Sequence, residues 1–170
     1  MELFYLADSR NPKMLEDLKD EYIRRRGLTP VTEREIREFI GFCLETAVGV
    51  FNGNMQHIID ASYSGSSVVY KNLYIEPDML KKKTRVKPIT VARHAVMVAL
   101  FKYTSMNKRT CGALMNRDHA TVIHAQKQID SIIEFKDIAY YKPVKQFFDE
   151  INSKYRPHRT KRYRNNYKIL

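Results

Sequence analysis

The chain has 170 residues, 44% of them hydrophobic, with a net charge of +11 and a pI near 9.6. That length supports one adequate core with room for at most one small accessory unit, and the charge calls for an acidic partner, either nucleic acid or an anionic membrane. No run approaches the roughly 18 apolar residues of a membrane span, and MELFYLADSR at the start lacks a signal-peptide layout, so a soluble, cytoplasmic protein without membrane contact is expected.

In chain order, Asn11-Pro12 opens the first predicted helix, which Gly27 follows. Thr32 and Glu35 make a capping box for a second helix, whose apolar residues Ile36, Phe39, Ile40, Cys43, Ala47 and Val50 keep helical spacing. Asn52-Gly53-Asn54 stops it, Met55–Ala61 adds a short helix, and Ser62–Ser67 reads as a flexible loop. Val68–Ile75 suits either a strand or a buried helical turn. Pro77 starts one helical turn, and Lys81–Pro88 forms a basic loop. Thr90 caps a strong helix with Ala92, Ala95, Val96, Ala99, Leu100 and Tyr103 facing inward. A short element from Lys108 to Met115 breaks at Asn116. Asp118 caps the next helix, whose stripe is Val122, Ala125, Ile129, Ile132 and Ile133. A last helix, Tyr140–Tyr155, presents Val144, Phe147, Phe148 and Ile151. The fold class is therefore all-α. Cys43 and Cys111 lie in apolar helical patterns and read as buried free thiols.

Residues 1–80 hold 9 Lys/Arg against 13 Asp/Glu, whereas residues 81–170 hold 21 against 6. A polyanion therefore meets the second half. The expected organisation is an acidic, mainly helical region over 1–69, a helix-turn-helix domain over 70–153, and a basic, flexible tail over 154–170. The first region offers a surface for a protein partner or self-association.

The short helix, the break at Asn116 and the longer helix after it have the length and polarity of a helix-turn-helix. Its second helix opens with RDHATVIHA, Arg117 to Ala125: polar at the end suited to base edges, apolar at the end suited to packing. Asp118 has the chemistry to accept from a cytosine amino group, His119 to donate to a purine, and the Ala120 methyl to meet a thymine methyl. The alternative for Asp118 is a helix cap alone, with Arg117 solvated. Arg85, after Lys82 and Lys83, is placed to reach an adjacent A·T-rich minor groove. Lys87, Arg93 and Lys102 are candidates for phosphates, Lys127 for a DNA contact, and His124 for a phosphate or a hydrogen-bonded site. A solvated basic loop is the alternative for any one lysine. His57, His94 and His158 are scattered, so no metal site is indicated. The glycines never take the G-x-x-x-x-G-K-[ST] spacing, and no catalytic constellation stands out; neither an enzyme nor a cofactor is expected.

From about Leu73 to Ile133 the chain resembles the C-terminal DNA-binding domain of the bacterial replication initiator DnaA. RDHATVIHA is similar to that domain's signature, VARHAVMVAL (Val91–Leu100) to its preceding helix, and KKKTR (Lys81–Arg85) to its basic loop. The resemblance implies that Arg85 enters the minor groove, that Asp118, His119 and Ala120 read the major groove, and that Arg93, His94 and Thr121 contact the backbone. Ala120 replaces a usual threonine, and the turn before Asn116 lacks the usual glycine pair. The family's ATPase module has no counterpart here, so the expectation is a stand-alone, sequence-specific double-stranded DNA-binding protein of replication or transcription control, encoded in a phage or mobile element. A packaging or architectural nucleoprotein with weak sequence preference is the alternative, and an adaptor that has lost DNA binding a third.

Overall fold

The computed structural model describes residues 27–62 and 70–158. The helix expected after Asn11, the Ser62–Ser67 loop beyond Ser62, Val68 and Val69, and the tail from Arg159 lie outside the described residues. Six α-helices follow in order: α1 (Glu33–Gly53), α2 (Met55–Ala61), α3 (Lys87–Tyr103), α4 (Lys108–Leu114), α5 (His119–Glu134) and α6 (Tyr141–Lys154). One 3₁₀ turn, Pro77–Lys81, precedes α3. There is no strand among the described residues, only a bridge from Leu28 to Tyr155.

Local chemistry explains most element ends. Thr32 Oγ1 accepts from the Glu35 amide at 3.2 Å and donates to the Glu35 carboxylate at 2.9 Å, a variant of the capping box in which the acid meets the hydroxyl. Asn54 ends α1: its amide donates to Val50 O, and its side-chain Nδ2 reaches Val50 O at 2.7 Å and Gln146 Oε1 at 2.9 Å. Ile75 has no regular structure, but its amide and carbonyl are both bonded by the Asn52 side chain at 2.8 Å. That reciprocal pair substitutes for a ladder and holds the approach to the 3₁₀ turn against α1. Helix α3 begins at Lys87, earlier than the cap expected at Thr90. Pro88 sits in its first turn, where a missing N–H costs nothing, and Thr90 Oγ1 bonds back to Val86 O at 3.1 Å.

Helix α3 is the axis of the molecule. It packs against α1, α4, α5, α6 and the 3₁₀ turn, so every residue from Val91 to Thr104 is buried. The single inward face expected for α3 therefore becomes a helix enclosed on all sides. Phe39, Cys43, Ala47, Val50 and Phe51 of α1 enter the same core as Val96, Leu100 and Tyr103 of α3 and Val144, Phe147, Phe148 and Ile151 of α6. Each large apolar burial is worth roughly 1.5–3 kcal/mol, so the apolar stripe of α1 is committed to internal packing. Cys43 and Cys111 are buried and form no disulfide, with burial pushing the Cys43 thiol up.

The two ends of the described chain meet beside this core. Leu28 N donates to Lys154 O at 3.0 Å and Arg156 N to Leu28 O at 2.9 Å. The Tyr155 ring lies edge-on to Phe39 with centroids 4.7 Å apart. No helix among the described residues is long and apolar enough to cross a membrane.

Candidate nucleic-acid interface

The turn between α4 and α5 is built on Asn116. Its φ of +55° is left-handed, a conformation asparagine tolerates better than other residues with a Cβ. Arg117 N donates to Gly112 O at 2.8 Å and Asn116 N to Ala113 O at 3.0 Å. These are the two bonds of a Schellman closure, with asparagine doing the work of glycine. The turn then passes so close over α4 that Gly112 has the Arg117 and Asp118 carbonyls against its Cα. Absence of the glycine pair expected from the resemblance is thus met by Asn116 in the turn and Gly112 below it.

Asp118 caps α5: its Oδ1 accepts from Thr121 N at 2.9 Å and Thr121 Oγ1 at 2.8 Å. Those two bonds, and the His119 side chain beside it, hold its carboxyl below the usual range. His119 and Ala120 are exposed on the first turn, and Lys127 and His124 are exposed further along α5. Thr121 is half-buried, its amide and hydroxyl both committed to Asp118.

The basic loop is tied to this turn through its backbone. Arg93 of α3 donates from Nε to Leu80 O at 2.6 Å and from Nη2 to Lys82 O at 2.7 Å. Arg117 Nη2 donates to the same Lys82 oxygen at 2.8 Å, and Asn116 Nδ2 to Lys81 O at 3.4 Å. These carbonyls lie at and just past the C-terminal end of the 3₁₀ turn, where cations and side-chain donors are favoured. The side chains of Lys82, Lys83 and Arg85 remain exposed. Between loop and turn opens a groove of about 740 Å³, lined by Lys83, Thr84, Arg85, Arg93, Arg117 and Asp118, among others.

Residues 66–129 match the family model described as the bacterial DnaA protein helix-turn-helix. The helix-turn-helix is of the DnaA type. The chain is 30% identical over 105 residues to the chromosomal replication initiator protein DnaA of Flavobacterium psychrophilum, an alignment covering 61% of this chain and 21% of that protein. The chain thus spans about a fifth of the length of the curated relative it matches. No solved structure matches it.

Within the DnaA-type domain, Arg85, Lys82, Lys83, Arg117, Asp118, His119, Ala120 and Thr121 come together around the groove and the first turn of α5. Three residues expected at phosphates do not present free surface charge. Arg93 is 3% exposed and bonded to carbonyls; burial, then the Arg117 charge, lower its pKa to about 10, so it stays cationic. His94 is buried with its ring edge-on to His124, centroids 5.5 Å apart, and burial, His124 and Arg93 push its pKa down to about 4. It is neutral at pH 7 and supplies no charge to a phosphate. Lys102 is buried at the far end of α3, its pKa lowered by burial to about 8 against the opposing pull of Asp130. Lys87 is exposed but stands 5.2 Å from the centre of the Tyr140 ring. Thr84, Ala113 and Asn116 also line the groove; only Asn116 carried a local signal, as a helix stop.

Proposed function

We propose that the protein binds double-stranded DNA in a sequence-specific way, as an origin-recognition or regulatory factor of replication. His119 and Ala120 would read the major groove from the first turn of α5, and Arg85 would enter the adjacent minor groove. The observation that carries this reading is the exposed first turn of α5 standing beside exposed Lys82, Lys83 and Arg85, with the loop backbone anchored to the turn. That arrangement would offer one cationic arm and one reading helix to neighbouring grooves of the same duplex. Asp118, with Oδ1 already engaged by Thr121, serves the reading by orienting the turn and by discouraging duplexes that lack a base donor opposite it. The DnaA-type domain and the likeness to a replication initiator support a role in replication.

Selection of bound duplexes from a random pool tests the proposal. A defined motif should emerge, and His119→Ala should relax one position of it at a cost of ~1–3 kcal/mol. Lys82→Ala should weaken all duplexes alike and reduce the salt slope by about one unit. Equal affinity for the selected and scrambled duplexes at physiological salt would replace specific recognition with the architectural reading.

A further inference from the structure

The Lys82 carbonyl oxygen accepts from two guanidinium groups on different parts of the helix-turn-helix, Arg93 at 2.7 Å and Arg117 at 2.8 Å. Neighbouring carbonyls are held as well, Leu80 by Arg93 Nε and Lys81 by Asn116. The two arginines repel, since the Arg117 charge helps lower the pKa of Arg93. Like charges brought to one neutral oxygen mark a joint whose position is worth an electrostatic cost. Arg85 is three residues beyond this joint, at most ~11 Å of extended chain. Held there, the arm keeps a limited reach from the turn that carries His119. Released, it would have to be ordered anew at each encounter with DNA.

Resting on the two-groove reading above, we propose that Arg93 and Arg117 are positioning residues that set the span between Arg85 and the first turn of α5. They thereby couple the minor-groove contact to the major-groove contact. Arg93 acts through Arg85: its donors Nε and Nη2 are committed to the Leu80 and Lys82 carbonyls, and only 3% of the residue is exposed. The coupling makes a specific chemical demand. A guanidinium donates along two directions at once, whereas an ammonium on a lysine stem is a point donor and cannot take both the Leu80 and Lys82 oxygens in this geometry.

The test compares wild type, Arg93→Gln, Arg93→Lys, Arg85→Ala and Arg85→Ala/Arg93→Gln. Each is measured on the selected duplex and on the same duplex with its A·T run replaced by G·C. Expected for Arg93→Gln is a roughly tenfold loss of preference for the A·T run, with the salt slope unchanged because no phosphate contact is lost. Arg93→Lys should behave like Arg93→Gln, and in the Arg85→Ala background Arg93→Gln should add less than twofold. Rescue by lysine with a slope change near one unit would make Arg93 a phosphate contact and overturn the proposal. An equal loss on both duplexes would make it merely structural, with the same result. Should Arg93→Gln fail to fold, Arg117→Ala removes the outer grip alone and carries the same comparison. If Arg85→Ala leaves the A·T preference intact, the two-groove reading itself falls, which is distinguishable from a failed clamp under an intact reading.

Discussion

Replacing Gly112 with alanine pits helix propensity against close approach, and the distances decide which wins. A Cβ at this position would lie 2.6 Å from the Asp118 carbonyl oxygen, 2.8 Å from the Arg117 carbonyl oxygen and 3.0 Å from the Asp118 carbonyl carbon. Ordinary contact begins near 3.4 Å, and all three atoms are backbone, so no side-chain rotation relieves the overlap. The start of α5 would have to move by more than half an ångström. Glycine to alanine inside a helix gains about 0.8–1 kcal/mol. Forcing a methyl into a filled site costs about 1–3 kcal/mol, and rigid backbone places this site in the upper part of that range. The expected net effect is a loss of about 1–2 kcal/mol. Gly49 of α1 is the control: an added Cβ there meets nothing within 4 Å, so Gly49→Ala keeps only the propensity term and should gain about 1 kcal/mol. Urea midpoints at a common m-value measure both. The overlap lies under the residues that open α5, so on the proposed function Gly112→Ala should also weaken binding to the selected duplex, while Gly49→Ala should not. A Gly112→Ala protein as stable as Gly49→Ala would refute the reasoning, because it would show the turn yielding at no cost.

Lys136 closes α5 with φ +48°, its neighbour Asp137 donating to Ile132 O at 2.9 Å, so Lys136→Gly should relieve left-handed strain and raise stability by about 1 kcal/mol in the same urea assay. At the other turn, Asn116→Gly should be nearly neutral and Asn116→Val destabilising by more than 1 kcal/mol, roughly; equal midpoints for the two would remove the conformational argument. Stability should also carry two opposed pH terms. His94 falls from 6.5 to about 4 on folding, so its unfolded form takes up a proton first, and stability present above pH 6.5 is lost towards pH 4 by about 3 kcal/mol. Asp130 rises from 3.8 to about 6, chiefly through burial, so its contribution grows as pH drops through 6. His94→Gln removes the first term, and its midpoint relative to wild type should climb steadily from pH 7 to pH 4.5. A constant difference across that range would exclude His94 as the acid-sensitive group.

Much of the fold is legible from neighbours within four residues. Thr32 with Glu35, Asn116 and Asp118 each act through bonds to their own stretch of backbone, and Pro77 through its fixed backbone angle, which is why these helix ends can be read in one dimension. The first turn of α5 belongs to the same class: its exposure follows from a polar opening before an apolar stripe, and His119 and Ala120 stand at the surface accordingly. Arg93, His94 and Lys102 do not belong to it. Their residue types and their places between inward-facing positions point to solvent, and in a helix with one packed face they would reach it. Helix α3 has neighbours on every side, so those outward positions are filled by the 3₁₀ turn, α5 and the chain beyond α6.

By itself the sequence determined the all-helical class, the helix-turn-helix and the basic half of the chain, because each depends on local spacing or on composition, while the DnaA-type character rested on the resemblance of RDHATVIHA, VARHAVMVAL and KKKTR to a known domain. Only the tertiary structure decided that α1 shares the core of the helix-turn-helix, and that Arg93 spends its donors on the Leu80 and Lys82 carbonyls. Those contacts join residues 11 to 13 positions apart and helices still further apart in the chain. No periodicity within one helix encodes which oxygen a guanidinium will meet when another segment folds against it.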